Sequence, residues 1–139
     1  MKSNKNNTFS YLNDKKTNEL DKLLNIMSHL RDPDKGCPWD IKQTFESIAP
    51  YTIEEAYEVS QSIQDKDYDE LMDELGDLLL QVVFLSQIAK ENKHFDFNGV
   101  INSITNKLIE RHPHIFEEKS NLENEDQVKV QWEKIKSLE

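Results

Sequence analysis

TIEEAYEVSQSIQDKDYDELMDELGDLLLQVVF, Thr52 to Phe84, decides the fold. Its acids come in pairs, Glu55 with Glu58 and Glu74 with Asp77, with Glu54 and Asp73 beside them. Residues three or four apart share a helix face, ~5–6 Å between Cβ atoms, so each pair directs two carboxylates at one point. The polar turn Gln64 to Asp67 is short, and short connections favour antiparallel neighbours. On two facing helices the four carboxylates converge, and their repulsion raises their pKa values unless a cation lies among them. Oxygen-only donors suit Mg²⁺ or Mn²⁺, and no His or Cys stands at zinc-ligand spacing in the stretch.

The spacing leaves two readings open, a solvated acidic face and a cation site. Helical acids usually lie in water. Glu74 and Asp77, however, lead into Leu78 to Leu85, apolar all round a helix and therefore expected to be buried. Glu55 also completes the capping-box form Thr52-x-x-Glu55, a role that competes with metal binding.

Outward from this hairpin, 139 residues suffice for one domain with a core. Three Gly, four Pro and abundant Leu, Glu, Lys and Ile favour an all-α fold, a bundle of four to five helices. The net charge of −10 opposes nucleic-acid binding. The single Cys37 fits a reducing cytoplasm, no apolar run is long enough to cross a membrane, and the first residues lack a signal-peptide pattern. Residues 1–16 read as a mobile leader, with Phe9, Tyr11 and Leu12 able to dock locally, and 17–139 as the folded domain.

Leu20, Leu23, Leu24, Met27 and Leu30 mark a first amphipathic helix ending before Pro33. Asp32 to Pro50 reads as a long connection folded over the bundle, in which Trp39 is either packing or a wall for a flat ligand such as a nucleobase. A second helix is expected from Thr52 to Gln64, burying Ile53, Ala56, Tyr57, Val59 or Ile63. A third is expected from Tyr68 to Glu91, ~36 Å long. So long an apolar helix overtaxes a small bundle, so a homodimer packed on Leu78 to Leu85 is expected. A fourth helix, capped by Asp96 or Asn98, has the stripe Val100, Ile101, Ile104 and Leu108 and ends at Pro113. Its Lys107 and Arg111 either complement the helix dipole or clamp phosphate oxygens. His112 and His114 have no third ligand nearby and read as structural. A loop over 117–125 leads to a last helix with Val128, Trp132, Ile135 and Leu138 on one face, Trp132 most simply in the core.

The runs GCPWD (Gly36 to Asp40), IAPYTIEEAYEV (Ile48 to Val59), ELGDLLLQVVF (Glu74 to Phe84) and KLIERHPHIF (Lys107 to Phe116), in that order, resemble the MazG family of nucleoside triphosphate pyrophosphohydrolases, and more closely the first copy of its tandem members. The resemblance implies an all-α enzyme that dimerises or assembles further, binds Mg²⁺, and cleaves an NTP or dNTP to the monophosphate and pyrophosphate. It puts the metal ligands on Glu55, Glu58, Glu74 and Asp77. It puts triphosphate contacts on Lys107 and Arg111 and a nucleotide contact on Trp132, with Asp73 lining the same region. Glu54 or a ligand carboxylate is then the proton acceptor. Two alternatives accompany this reading: a relative restricted to dUTP or dCTP, and a dimeric regulatory module that binds nucleotide without cleaving it. A di-iron oxidase is disfavoured by the missing Glu-x-x-His pairs.

Overall fold

The computed structural model describes residues 8–117 and 122–139, and among them finds seven α-helices, one 3-10 turn and no strand. The chain divides into two compact units, one ending at His94 and one running Phe95–Glu139. Residues 1–7 of the expected leader, and residues 118–121 of the expected loop, lie outside the described residues. Ser10–Asn13 forms the 3-10 turn. Beside it the Phe9 ring meets His29 edge-on at 4.9 Å and Tyr11 stacks on His29 at 5.7 Å.

In the first unit, α1 (Glu19–Leu30) starts at an Asn18 cap and buries Met27. The short α2 (Pro38–Lys42) interrupts what reads in sequence as one long connection. The next helix, α3 (Phe45–Gln64), begins earlier than expected. Thr44 caps it reciprocally with Ser47: Thr44 Oγ1 accepts from the Ser47 amide at 3.1 Å, and Ser47 Oγ accepts from the Thr44 amide at 2.8 Å. Burial of Ile48 anchors this first turn, and Pro50 is carried inside the helix, where it forfeits one hydrogen bond. The Thr52–Glu55 capping box is therefore not formed. Thr52 instead donates its hydroxyl to the Ile48 carbonyl at 3.4 Å, which leaves Glu55 free for other work.

The longest helix, α4 (Tyr68–Glu91), has the expected bounds, with Asp67 accepting from the Glu70 amide. Both α3 and α4 end with a lysine in the left-handed region, Lys66 at φ 55° and Lys93 at φ 61°. The following amides reach back to Ser62 O at 3.2 Å and Ala89 O at 2.9 Å, the Schellman pattern.

Burial corrects one expectation. On α3 the face turned inward is Ile48, Thr52, Glu55, Val59 and Ser62, whereas Ile53 is 61% and Tyr57 73% exposed, and Ala56 and Ile63 are also exposed. The mixed-polarity face packs on α4, and the apolar side chains look away from it. On α4, Gln81, Val83, Phe84, Ser86, Ile88 and Ala89 are buried within the chain itself, whereas Leu78, Leu80, Val82 and Leu85 are half-buried and Leu79 is exposed.

The second unit holds α5 (Phe97–Arg111, capped by Asp96), α6 (Pro113–Phe116) and α7 (Glu125–Leu138, capped by Asn124). None of its described residues is fully buried. The expected α5 stripe is only partly covered: Val100 is half-buried, while Ile101, Ile104 and Leu108 are exposed. So short a unit has too little chain to enclose them. On α7, Val128, Trp132 and Ile135 are half-buried and Leu138 is exposed.

A candidate metal centre on the α3–α4 hairpin

Register builds the site. Along α4, Glu70, Glu74, Asp77 and Gln81 are spaced four, three and four apart and so form one stripe. From α3, Glu55 lies on the face packed against α4. Glu55, Glu74 and Asp77 each offer a carboxylate oxygen, and these three lie within 4.8 Å of one another. Glu55 and Glu74 are half-buried and Asp77 is exposed.

Three acids so close cannot all ionise cheaply. The Glu74 carboxyl is raised to about 7, first by its hydrogen bond to Glu70, then by burial and by the charges of Glu70, Glu58 and Asp77. Burial pushes Glu55 up as well, helped by Asp77 and eased by a hydrogen bond with Glu74. Protons here do the neutralising that a cation would do. The donor set fits Mg²⁺: it is all carboxylate oxygen, and an octahedral shell at ~2.1 Å sets its oxygens ~3–4.2 Å apart, a small rotamer adjustment away. The one buried side-chain polar atom without a partner among the described residues is Gln81 Oε1, one turn beyond Asp77, where it can accept from a water.

Not every expected ligand joins this triad. Glu58 is exposed and outside it, yet close enough for its charge to raise both Glu55 and Glu74. Glu54 is exposed and also pushes Glu55 upward. Asp73 is exposed and outside the triad. Sequence reasoning missed Glu70 and Gln81, although their spacing from Glu74 and Asp77 was the available signal.

Trp39 is 53% exposed, and its ring makes edge contacts with Tyr51 at 6.2 Å and Phe84 at 6.5 Å. It therefore has a free flank, unlike a core indole.

In the second unit, Arg111 is engaged by Glu139: Nε donates to Oε1 at 3.2 Å and Nη2 to Oε2 at 2.7 Å. This raises Arg111 and lowers Glu139 from their usual pKa values. The Arg111 guanidinium lies 5.2 Å from the Trp132 ring centroid and the Lys136 ammonium 4.9 Å, so the half-buried Trp132 ring carries two cation contacts and is not plain core. Lys107 lines an open groove of about 440 Å³ with Phe95, Gly99, Val100, Ser103 and Ile104. His112 Nδ1 lies 2.6 Å from Leu108 O, and His114 Nδ1 lies 3.2 Å from Gln131 Nε2, in keeping with structural roles.

Comparison with known proteins bears on this arrangement. The family model described as the MazG nucleotide pyrophosphohydrolase domain matches residues 43–116. The chain is 54% identical over 122 residues, 88% of its length, to the nucleoside triphosphate pyrophosphohydrolase of Escherichia coli K12. It is 47% identical over 120 residues, 86% of its length, to the nucleoside triphosphate pyrophosphohydrolase/pyrophosphatase MazG of Thermotoga maritima. The chain spans under half the length of these relatives, 46% and 45%. The crystal structure of a mazG-related protein from Thermotoga maritima superposes with a TM-score of 0.68 at 24% identity, covering 84% of this chain and 98% of that one.

Proposed function

We propose, from the premise that this chain belongs to the MazG nucleotide pyrophosphohydrolase family, that it hydrolyses nucleoside or deoxynucleoside triphosphates to the monophosphate and pyrophosphate. The observation that carries the reading is the convergence of Glu55, Glu74 and Asp77 within 4.8 Å on the helical hairpin.

Glu55, Glu74 and Asp77, with Glu58 alongside, are the residues that would hold Mg²⁺ or, in its place, Mn²⁺. When bound, the ion would neutralise triphosphate charge and lower the pKa of a water. The reaction consumes one water and breaks the anhydride between the α and β phosphoryl groups. Glu54, exposed beside Glu55, or one of the ligand carboxylates takes the proton from that water. In the first unit the half-exposed Trp39 ring is the candidate surface for the base and Asp73 a candidate nucleotide contact; in the second, Lys107 and Arg111 are the candidate cations for phosphate oxygens and Trp132 a candidate nucleotide contact.

A homodimer or larger homo-oligomer is part of the proposal, on a face of α4 that includes Leu79 of the Leu78 to Leu85 run. Tyr68, Met72, Leu75 and Leu79 form a second stripe on α4, ~200° round the helix from the acidic one. All four are exposed, Tyr68 and Met72 at 69% each. With the acids turned inward and the apolar side chains outward, the exposed stripe suits a second copy of the chain. No described helix is long and apolar enough to cross a membrane. The free Cys37 and the net negative charge support a cytoplasmic setting without nucleic-acid partners.

The test is pyrophosphate release from a panel of NTPs and dNTPs with Mg²⁺, with Mn²⁺ and with EDTA, set against Glu74→Gln and Asp77→Asn. Metal-dependent release lost in both variants is expected. Release unaffected by EDTA and by both substitutions overturns the reading. Nucleotide binding without release moves it to a regulatory module, the second reading.

A further inference from the structure

Arg31 is heavily engaged, with five side-chain hydrogen bonds. Its Nε and Nη2 donate to the two carboxylate oxygens of Glu91 at 3.0 and 2.6 Å. Its Nη1 donates to the carbonyls of Asp40 at 2.7 Å and Gln43 at 2.9 Å. These carbonyls close the C-terminal end of α2, the five-residue helix that carries Trp39. The guanidinium also lies 5.7 Å from the centroid of the Phe84 ring, against whose side Trp39 rests. Gln43 extends the tie: its Nε2 donates to Trp39 O at 2.8 Å, and its Oε1 accepts from Ser47 Oγ of the α3 cap at 2.8 Å. Tyr51, the other ring against Trp39, sits one turn before Glu55 on α3.

A five-residue helix has too few internal hydrogen bonds to hold its own place. What holds α2 is one planar fork that binds a carboxylate on α4 and two backbone carbonyls at once, geometry that a lysine cannot reproduce. We propose that Arg31 is a positioning residue for base recognition: through the α2 carbonyls and Phe84 it fixes the Trp39 ring against Tyr51, in register with Glu55. This rests on the proposed nucleotide chemistry, because it assigns the exposed flank of Trp39 to a nucleobase. Arg31 itself touches no substrate. Its side chain is 8% exposed and both ends of its fork are spoken for.

The experiment uses the full chain. The protein has two tryptophans, so Trp132→Phe isolates the emission of Trp39. In that background Arg31→Lys is expected to red-shift Trp39 emission and increase its quenching by acrylamide. In the otherwise unaltered chain, Arg31→Lys should raise KM for nucleoside triphosphates about tenfold, the scale of a lost base–aromatic stack, while inhibition by base-free tripolyphosphate stays unchanged. Gln43→Ala should act in the same direction with smaller effect, and it decides the matter alone should Arg31→Lys fail to fold. Unaltered Trp39 emission in these variants overturns the proposal. So does an equal loss of affinity for nucleotide and tripolyphosphate. Trp39→Ala separates the layers: with KM unmoved by it, the base contact fails as a functional reading, while the emission shift still tests the positioning.

Discussion

Glu139 engages two of the three nitrogens of Arg111, Nε at 3.2 Å and Nη2 at 2.7 Å, so the guanidinium assigned to a triphosphate already holds a carboxylate. A phosphate group that takes the Nε and Nη2 edge must displace it. Glu139→Gln removes the competing charge, and the affinity for tripolyphosphate is expected to rise by about three- to tenfold, the scale of a charge-assisted hydrogen bond. Isothermal titration checks it; unchanged affinity would detach Arg111 from phosphate binding.

The acidic cluster makes a signed pH prediction. With Glu74 raised to about 7, the metal-free folded state binds more protons than the unfolded chain between the ordinary carboxylate range and about pH 7. Stability in EDTA therefore falls as pH rises through that window. The stabilisation conferred by Mg²⁺ runs the other way and grows with pH, since the ion must displace protons. Melting temperatures with and without Mg²⁺ between about pH 5 and 8 should diverge upward. A gap independent of pH would remove Glu74 from the metal site.

Gly76 lies in the interior of α4, on the exposed side with Met72 and Leu79, and an added Cβ there would meet nothing within 4 Å. In an isolated protomer Gly76→Ala should stabilise the helix by about 0.5–1 kcal/mol. If a partner helix approaches closely at this point, the same methyl weakens association. Denaturant unfolding together with sedimentation equilibrium reads both, and the expected result is a more stable protomer that dimerises less tightly.

Gly36 behaves oppositely. A Cβ there would sit 2.4 Å from Leu30 O and 2.5 Å from Asp32 O, both backbone atoms unable to yield cheaply. Gly36→Ala should cost about 2 kcal/mol in denaturant unfolding. A neutral substitution would show that the loop after α1 shifts freely.

Much of this was legible in the chain, and the failures share a cause. The bounds of α4 follow from its Asp67 cap and unbroken run, and the pairing of Glu55 with Glu74 and Asp77 follows from helical spacing. The start of α3 was misread because Pro50 looks like punctuation, whereas the Thr44–Ser47 cap and the buried Ile48 hold the helix through it. That Gln81, Val83 and Phe84 within the Leu78 to Leu85 run are covered by this chain itself does not show in its composition. Arg111 and Glu139 are 28 positions apart, and Arg31 and Glu91 are 60 apart. Local pattern carries no information on such pairs.

The early start of α3 has one more consequence. Glu55 is the eleventh residue of the helix, in its third turn, well away from the end where helices fray. Its carboxylate is thus mounted on a stiff beam, braced by Asp67 and Lys66 at the far end of the hairpin. A stiff mount penalises ions that need a wider, more variable shell, so on the proposed metal reading the cap at Thr44, eleven residues away and touching none of the three acids, would favour magnesium over calcium.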